Sequence, residues 1–335
     1  MNILGIDVGG TKILGLRTDE YGTVLAQVNE PTRGDEGRDA VIDRIAAIIR
    51  NLTPPEGVDA IGIGMPGPLD PIKGEVFDPP NLPGWESVPL RKELQDRLGN
   101  SVPIVLVNDA NAAALAEFRF GAGSEKLLGR KIKHLVYLTI STGVGGGVIT
   151  DGKLLLGANG FATELGHIAI DAFGKRCNCG GIGCLEAMAS GTAIAKEGAI
   201  VVISRRPSKI SDLAEGKPEN VTARLVVEAA NQGDPIANEI MEQEGLLVGV
   251  GVVNCIHTFN PEVIVLGGGV TNAGDLLFKP VHATVESRVI PAYKGTFVIL
   301  PAALKGESGA LGAVAAALEE LGGPPTTTSN LSQNT

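Results

Sequence analysis

The sequence predicts an α/β protein, and three observations carry that reading. Short apolar runs of strand length alternate with segments of helical spacing along the chain. Glycine turns stand at strand ends, at Gly9-Gly10, Gly143 to Gly147 and Gly267 to Gly269, where α/β proteins commonly place ligands. A strand–glycine–strand pattern at the start of the chain returns near His134, so two halves built on one plan are expected.

The elements follow in order. Ile3 to Val8 read as a strand, Gly9-Gly10 as a turn, Lys12 to Arg17 as a second strand, and Thr23 to Val28 as a third after the Asp19-Glu20-Tyr21-Gly22 turn. Val41, Ile42, Ile45, Ile48, Ile49 and Leu52 keep helical spacing from Asp39 to Leu52, and Pro54-Pro55 ends that helix. Strands are expected at Ala60 to Gly64 and Pro103 to Val107, the latter running into Asn108-Asp109 and an Ala-rich helix from Ala110 to Phe120. His134 to Ser141 form the next strand. Gly143 to Gly147 read as a turn, with returning strands at Val148-Ile149 and Lys153 to Leu156. A long helix around Asp234 to Phe259, a strand at Val263 to Leu266 and a last helix from about Ser308 to Leu321 complete the pass. The tail 323–335, rich in Gly, Pro, Thr, Ser and Asn, is expected to be disordered.

The 335 residues suffice for two domains, and 44% hydrophobic with 20% charged residues is ordinary for a globular protein. A net charge of -10 without a Lys/Arg cluster excludes nucleic acid and anionic membrane as expected partners. No apolar run approaches the roughly 20 residues that span a bilayer. The strand-like start, Ile3-Leu4-Gly5-Ile6-Asp7, has no signal-peptide character, and a cytoplasmic location is expected.

His167, Cys177, Cys179 and Cys184 are spaced H-x9-C-x-C-x4-C. Three thiolates and one imidazole fill four positions with soft donors, the set of a structural zinc ion with no open place for chemistry. The bland alternative is free cysteines beside a chance histidine. Cys255 stands apart in an apolar helical stretch and reads as a small buried hydrophobe.

Asp7-Val8-Gly9-Gly10-Thr11-Lys12 puts a carboxylate at a strand end, next to a glycine turn with a hydroxyl and an amine, which suits a divalent cation and a nucleotide phosphate. Ser141 to Gly147 and Gly267 to Gly269 offer further N–H-rich turns. Each could also be an ordinary turn. No G-x-x-x-x-G-K-[ST] occurs, and Asn272 breaks a G-x-G-x-x-G, so a P-loop or dinucleotide-binding protein is not expected.

Together these residues resemble the ROK family (repressor, open reading frame, kinase) of bacterial sugar kinases. The resemblance runs from Asp7 to about residue 320. It rests on Gly5 to Lys12, Pro66-Gly67, Asn108-Asp109-Ala110-Asn111-Ala112, Thr142 to Gly147, and Glu164-Leu165-Gly166-His167 leading to Cys177–Glu186. It implies an actin-like, hexokinase-type (ribonuclease H-like) ATPase fold of two α/β domains with a central ligand cleft. The small domain would hold 1–118 with a C-terminal helix at about 305–322. The large domain would hold 119–304, with the zinc loop at 164–186.

The implied activity is transfer of the ATP γ-phosphoryl group to the 6-hydroxyl of glucose. Asp109 matches the catalytic base, the reading the resemblance favours over that of a helix N-cap directly before Ala110, and capping need not exclude catalysis. Gly67, Asn81, Asn108, Asp109, Glu164, His167 and Glu186 match sugar-binding positions, with His167 using its second ring nitrogen on zinc. Asp7 would orient Mg²⁺. Gly9, Gly10, Thr11, Lys12, Thr142 and Gly143 would face phosphates, and Gly268 and Gly269 the adenosine. A homodimer or homotetramer is implied as well.

The family usually places Gly before the Glu of this motif, whereas Thr163 stands here, a β-branched residue that bears on the exact sugar. Kinases for N-acetylmannosamine, N-acetylglucosamine, mannose or fructose, and polyphosphate as donor, remain alternatives. A sugar-responsive repressor is disfavoured, because Asp7 stands too near the start for a DNA-reading domain.

Overall fold

The structure is a computed structural model that describes residues 1–79, 82–99, 101–304 and 306–322. Asn81 and the tail 323–335 lie outside the described residues. The chain forms two compact units: Met1–Phe120 with Gly157–Phe161 and the chain from Leu304 on, and Gly121–Leu156 with Ala162–Ala303.

In the first unit the order is β1 (Ile3–Val8), β2 (Lys12–Thr18), β3 (Val24–Pro31), α1 (Arg38–Leu52), β4 (Ala60–Met65), β5 (Leu69–Asp70), β6 (Glu75–Val76), α2 (Leu90–Leu98), β7 (Ile104–Asn108) and α3 (Asp109–Arg119). The second unit holds α4 (Glu125–Leu128), β8 (Leu135–Ile140), β9 (Val144–Thr150), β10 (Lys153–Leu154), α5 (Leu185–Met188), α6 (Gly191–Ile203), α7 (Lys209–Leu213), α8 (Ala223–Asn231), α9 (Pro235–Phe259), β11 (Val263–Gly267), α10 (Asp275–Arg288) and β12 (Val298–Pro301). Helix α11 (Ser308–Gly322) returns to the first unit.

The two units repeat one topology. Their sheets run β3-β2-β1-β4-β7 and β10-β9-β8-β11-β12. In each, three strands pair antiparallel and two more extend the sheet in parallel. The central strands β1, β4 and β11 are buried on both faces, which is why they read as unbroken apolar runs.

Helix α1 lays Val41, Ile42, Ile45, Ile48 and Ile49 on one face of the first sheet, joined by Trp85, Leu90 and Leu94. Helix α11 covers the other face against β1, β4 and α3. The approach is close: a Cβ on Gly62 would lie 1.9 Å from the carbonyl oxygen of Ala313, and one on Gly5 would lie 2.1 Å from that of Ala310. Glycine lets the helix backbone touch the strand backbone. In the second unit α9 starts on Asp234, whose side chain accepts the N–H of Ala237 at 2.8 Å, with Pro235 in the first turn. It ends on Asn260 at φ 45°.

One local expectation changes. Gly145, Gly146 and Gly147 are not a turn but part of β9, opposite Thr139, Leu138 and Tyr137. A Cβ on Gly146 would meet the Leu165 side chain at 2.7 Å, so close packing rather than chain reversal explains this glycine. The turn itself is confined to Ser141–Gly143, closed by the Ser141 N–H on the Gly143 carbonyl at 2.8 Å.

Candidate active site

In the first unit, Asp7 is the penultimate residue of β1 and Lys12 opens β2, with the Gly9 N–H donating to the Lys12 carbonyl at 2.9 Å. Thr32, fully buried, pins this hairpin: its N–H donates to the Thr11 carbonyl (3.0 Å) and its hydroxyl to the Gly9 carbonyl (2.5 Å). Thr11 and Lys12 are left exposed and Gly9 and Gly10 half-buried, so the turn presents a hydroxyl and an amine at the surface. The Asp7 carboxylate rests against Gly309, where a Cβ would lie 2.5 Å from it. Neither Thr32 nor Gly309 carries a motif signal, so sequence reasoning missed both.

Helix α3 places Asp109 one residue inside its cap. The N-cap is Asn108, whose side-chain oxygen accepts from Ala110 N–H (3.0 Å) and Asn111 N–H (3.3 Å). Asp109 is therefore the first helical residue. Its side chain accepts the Ala110 N–H (2.8 Å), and the residue is exposed. Desolvation by the surrounding protein nevertheless holds its carboxyl above the ordinary range, against hydrogen bonds from Ala110 and Asn108. Asp7 is pushed up to about 6, first by burial and then by the negative charge of Asp109, with Lys12 opposing. Two mutually repelling carboxylates thus share this end of the sheet. Gly67 lies beside Asn108, where a Cβ would stand 3.2 Å from the Asn108 Nδ2.

In the second unit the ligand atoms of His167, Cys177, Cys179 and Cys184 all lie within 4.8 Å of one another. Cys179 and Cys184 sulfurs are 3.7 Å apart, as are Cys177 Sγ and His167 Nδ1. A tetrahedron with metal–sulfur bonds of ~2.3 Å has edges of ~3.8 Å, so the donor set and spacing fit a closed metal site. The loop is built for it: Gly180 N–H bonds the Cys177 carbonyl at 3.0 Å, and Cys177 N–H bonds the Gly181 carbonyl at 2.9 Å.

Glu164 precedes a 3₁₀ turn (Leu165–His167), with its carbonyl accepting the His167 N–H at 3.0 Å and the residue exposed. Thr163 before it has φ 71°, a left-handed backbone that a β-branched residue adopts only under strain. The Thr163 hydroxyl donates to the Ala162 carbonyl at 2.5 Å. Glu186, just past Cys184, has Oε1 at 3.9 Å from Cys177 Sγ and Oε2 accepting the Val144 N–H at 3.0 Å. That oxygen would lie 2.2 Å from a Cβ on Gly143. Glu186 thus joins the cysteine loop to the glycine turn.

Beyond that turn, a cavity of about 1040 Å³ opens on Thr142, Thr192, Gly269 and Asn272, and on Thr222, Arg224, Glu228, Asn231 and Gln232 in and around α8. Thr142 and Gly269 line it. Gly143 and Gly268 do not, and Gly268, at φ 88°, instead packs against the Ile140 backbone. The polar residues of α8 were missed, because a polar helix face looks the same in sequence whether it meets solvent or a cavity. Asn272, read only as an interruption of a glycine motif, is part of the wall.

A family model described as the ROK family matches residues 3–320. The chain belongs to the ROK family. Among curated ROK relatives, a glucokinase of Thermotoga maritima is 39% identical over 323 residues, covering 96% of this chain and 99% of the relative. Among solved structures, a ROK hexokinase from Thermus thermophilus superposes with TM-score 0.79 at 34% identity, covering 96% and 99% of the two chains. A ROK glucokinase from Streptomyces griseus, in complex with glucose and AMPPNP, gives 0.76 at 32% identity over 95% and 99%. The chain therefore has the actin-like, hexokinase-type α/β fold that the resemblance implied. Among the described residues no helix is long and apolar enough to cross a membrane.

Proposed function

We propose that this chain is an ATP-dependent glucokinase that transfers the γ-phosphoryl group of ATP to the 6-hydroxyl of glucose. The observation that carries the assignment is the carboxylate of Asp109, exposed at the first helical position after the Asn108 cap and raised in basicity by desolvation from the surrounding protein. Full-length similarity to glucokinases supports the same reading.

Asp109 accepts the proton of the 6-hydroxyl as that oxygen attacks phosphorus. Gly67, Asn81, Asn108, Glu164, His167 and Glu186 hold the sugar through carboxylate, amide and imidazole groups that pair with its hydroxyls. Gly9, Gly10, Thr11 and Lys12 on the first hairpin, with Thr142 and Gly143 on the second, address the phosphates. The cavity under α8 receives the nucleotide, with Gly269 in its wall at the adenosine side and Gly268 holding the backbone just before it. Asp7 is the residue that would hold Mg²⁺, which neutralises charge on the phosphates. His167, Cys177, Cys179 and Cys184 would hold one zinc ion, which fixes the loop carrying the sugar ligands. The protein works in the cytoplasm, as a homodimer or homotetramer.

The direct test is a coupled ADP-release assay over glucose, mannose, fructose, N-acetylglucosamine and N-acetylmannosamine, repeated with polyphosphate as donor. The highest kcat/KM is expected for glucose with ATP, yielding the 6-phosphate. A higher value for another sugar, or no ADP with any, rejects the assignment.

A further inference from the structure

We propose that Arg91 is a positioning residue for sugar recognition, acting through Pro71 and Gly160 on the segment that leads to Glu164. Its side chain makes three hydrogen bonds, all to main-chain carbonyls: Nη2 to Pro71 (2.7 Å), Nη1 to Ile72 (2.9 Å) and Nε to Ile104 (2.9 Å). Its backbone N–H adds a bond to the Gly74 carbonyl at 3.1 Å. The guanidinium fork therefore clamps the turn of the β5–β6 hairpin to β7, the strand that ends at Asn108 and delivers Asp109.

The clamped turn is also a seat. Residues 157–161 belong to the first unit, although the chain on both sides of them belongs to the second. In that segment Gly157, Ala158 and Asn159 are exposed, Phe161 is 50% exposed and only Gly160 is buried. Gly160 sits on the Pro71 ring, at φ 80°, with a Cβ there reaching to 2.4 Å from Pro71 Cδ. The one anchored residue of the segment thus rests on the residue whose carbonyl Arg91 holds. The chain then passes through strained Thr163 into Glu164, so a slack seat is transmitted to a sugar ligand. Lysine cannot replace the fork, since one ammonium cannot meet three carbonyls in this geometry.

The inference rests on the glucokinase reading, and its test separates the two. Full-length Arg91→Ala and Gly160→Ala are compared with wild type for KM of glucose, KM of ATP and hydrogen exchange of peptides covering 157–162. Both variants are expected to raise the glucose KM roughly tenfold, to leave the ATP KM within about twofold, and to exchange faster in that segment. Added methylguanidinium should partly restore the glucose KM of Arg91→Ala and leave Gly160→Ala unchanged. If both variants lose only active fraction, with KM values and exchange at wild-type levels, the proposal is overturned and Arg91 is a stability residue. A wild type inactive on every sugar would strike the kinase reading, and the exchange measurement would still decide whether Arg91 holds the segment.

Discussion

The Asn108 side chain caps α3 and Asp109 stands exposed as its first residue, so under the proposed mechanism the surroundings of Asp109 set the pH at which it acts. Asp109 is raised and Asp7 stands at about 6, so the acidic limb of kcat/KM belongs well above the ordinary carboxylate range. Activity should fall as pH drops through about 6, and a limb near 4 would contradict this. The sign for stability is opposite. A folded-state pKa above the unfolded value means that protonation favours the fold, so this contribution is present below the unfolded pKa and is lost as pH rises through 6. Asp7→Asn should therefore stabilise the magnesium-free protein at pH 7 by on the order of 2 kcal/mol while abolishing turnover, as read by denaturant unfolding. Thr163 stores strain of another kind. Thr163→Gly relieves its positive φ and should raise stability by about 1 kcal/mol. A loss of stability would show that the side chain's contacts outweigh the strain.

Among the elements, the cysteine loop and the start of β9 are one construction, because Glu186 reaches Cys177 and accepts the Val144 N–H just past the Ser141–Gly143 turn. Purified protein should contain about one zinc per chain. Cys184→Ser should lose the metal and raise the glucose KM by roughly 10- to 100-fold, because His167 and Glu186 lose their register. Metal analysis showing no zinc in fully active protein would remove this part of the account. The ligand set was legible because its donors lie close in sequence and each has a distinctive chemistry. The Asp7–Lys12 hairpin was legible for the same reason. What holds these pieces was not: Thr32 and Arg91 bond main-chain carbonyls and Gly309 leaves room for the Asp7 carboxylate, contacts brought together only by the fold, and no local pattern marks them. The run Gly145–Gly147 misled in the other direction, since glycine chosen for close packing reads like glycine chosen for a turn.

At the scale of the whole molecule, the repeated sheet topology explains why the sequence echoes itself from His134. Each copy keeps a glycine turn between its first two strands, and the copies diverge in what surrounds it: a carboxylate pair in one unit, a cysteine cluster in the other. Fold class was readable from the alternation of apolar strands and helices. The cavity beside α8 was not, because its wall gathers single residues from distant turns and from α8. The measurement that bears most directly on the central claim is ADP release with glucose and ATP by wild type and Asp109→Asn, alongside calorimetric glucose binding. The account predicts turnover down by roughly 10²–10⁴, with glucose affinity largely retained. An Asp109→Asn enzyme that turns over glucose at close to the wild-type rate would contradict it.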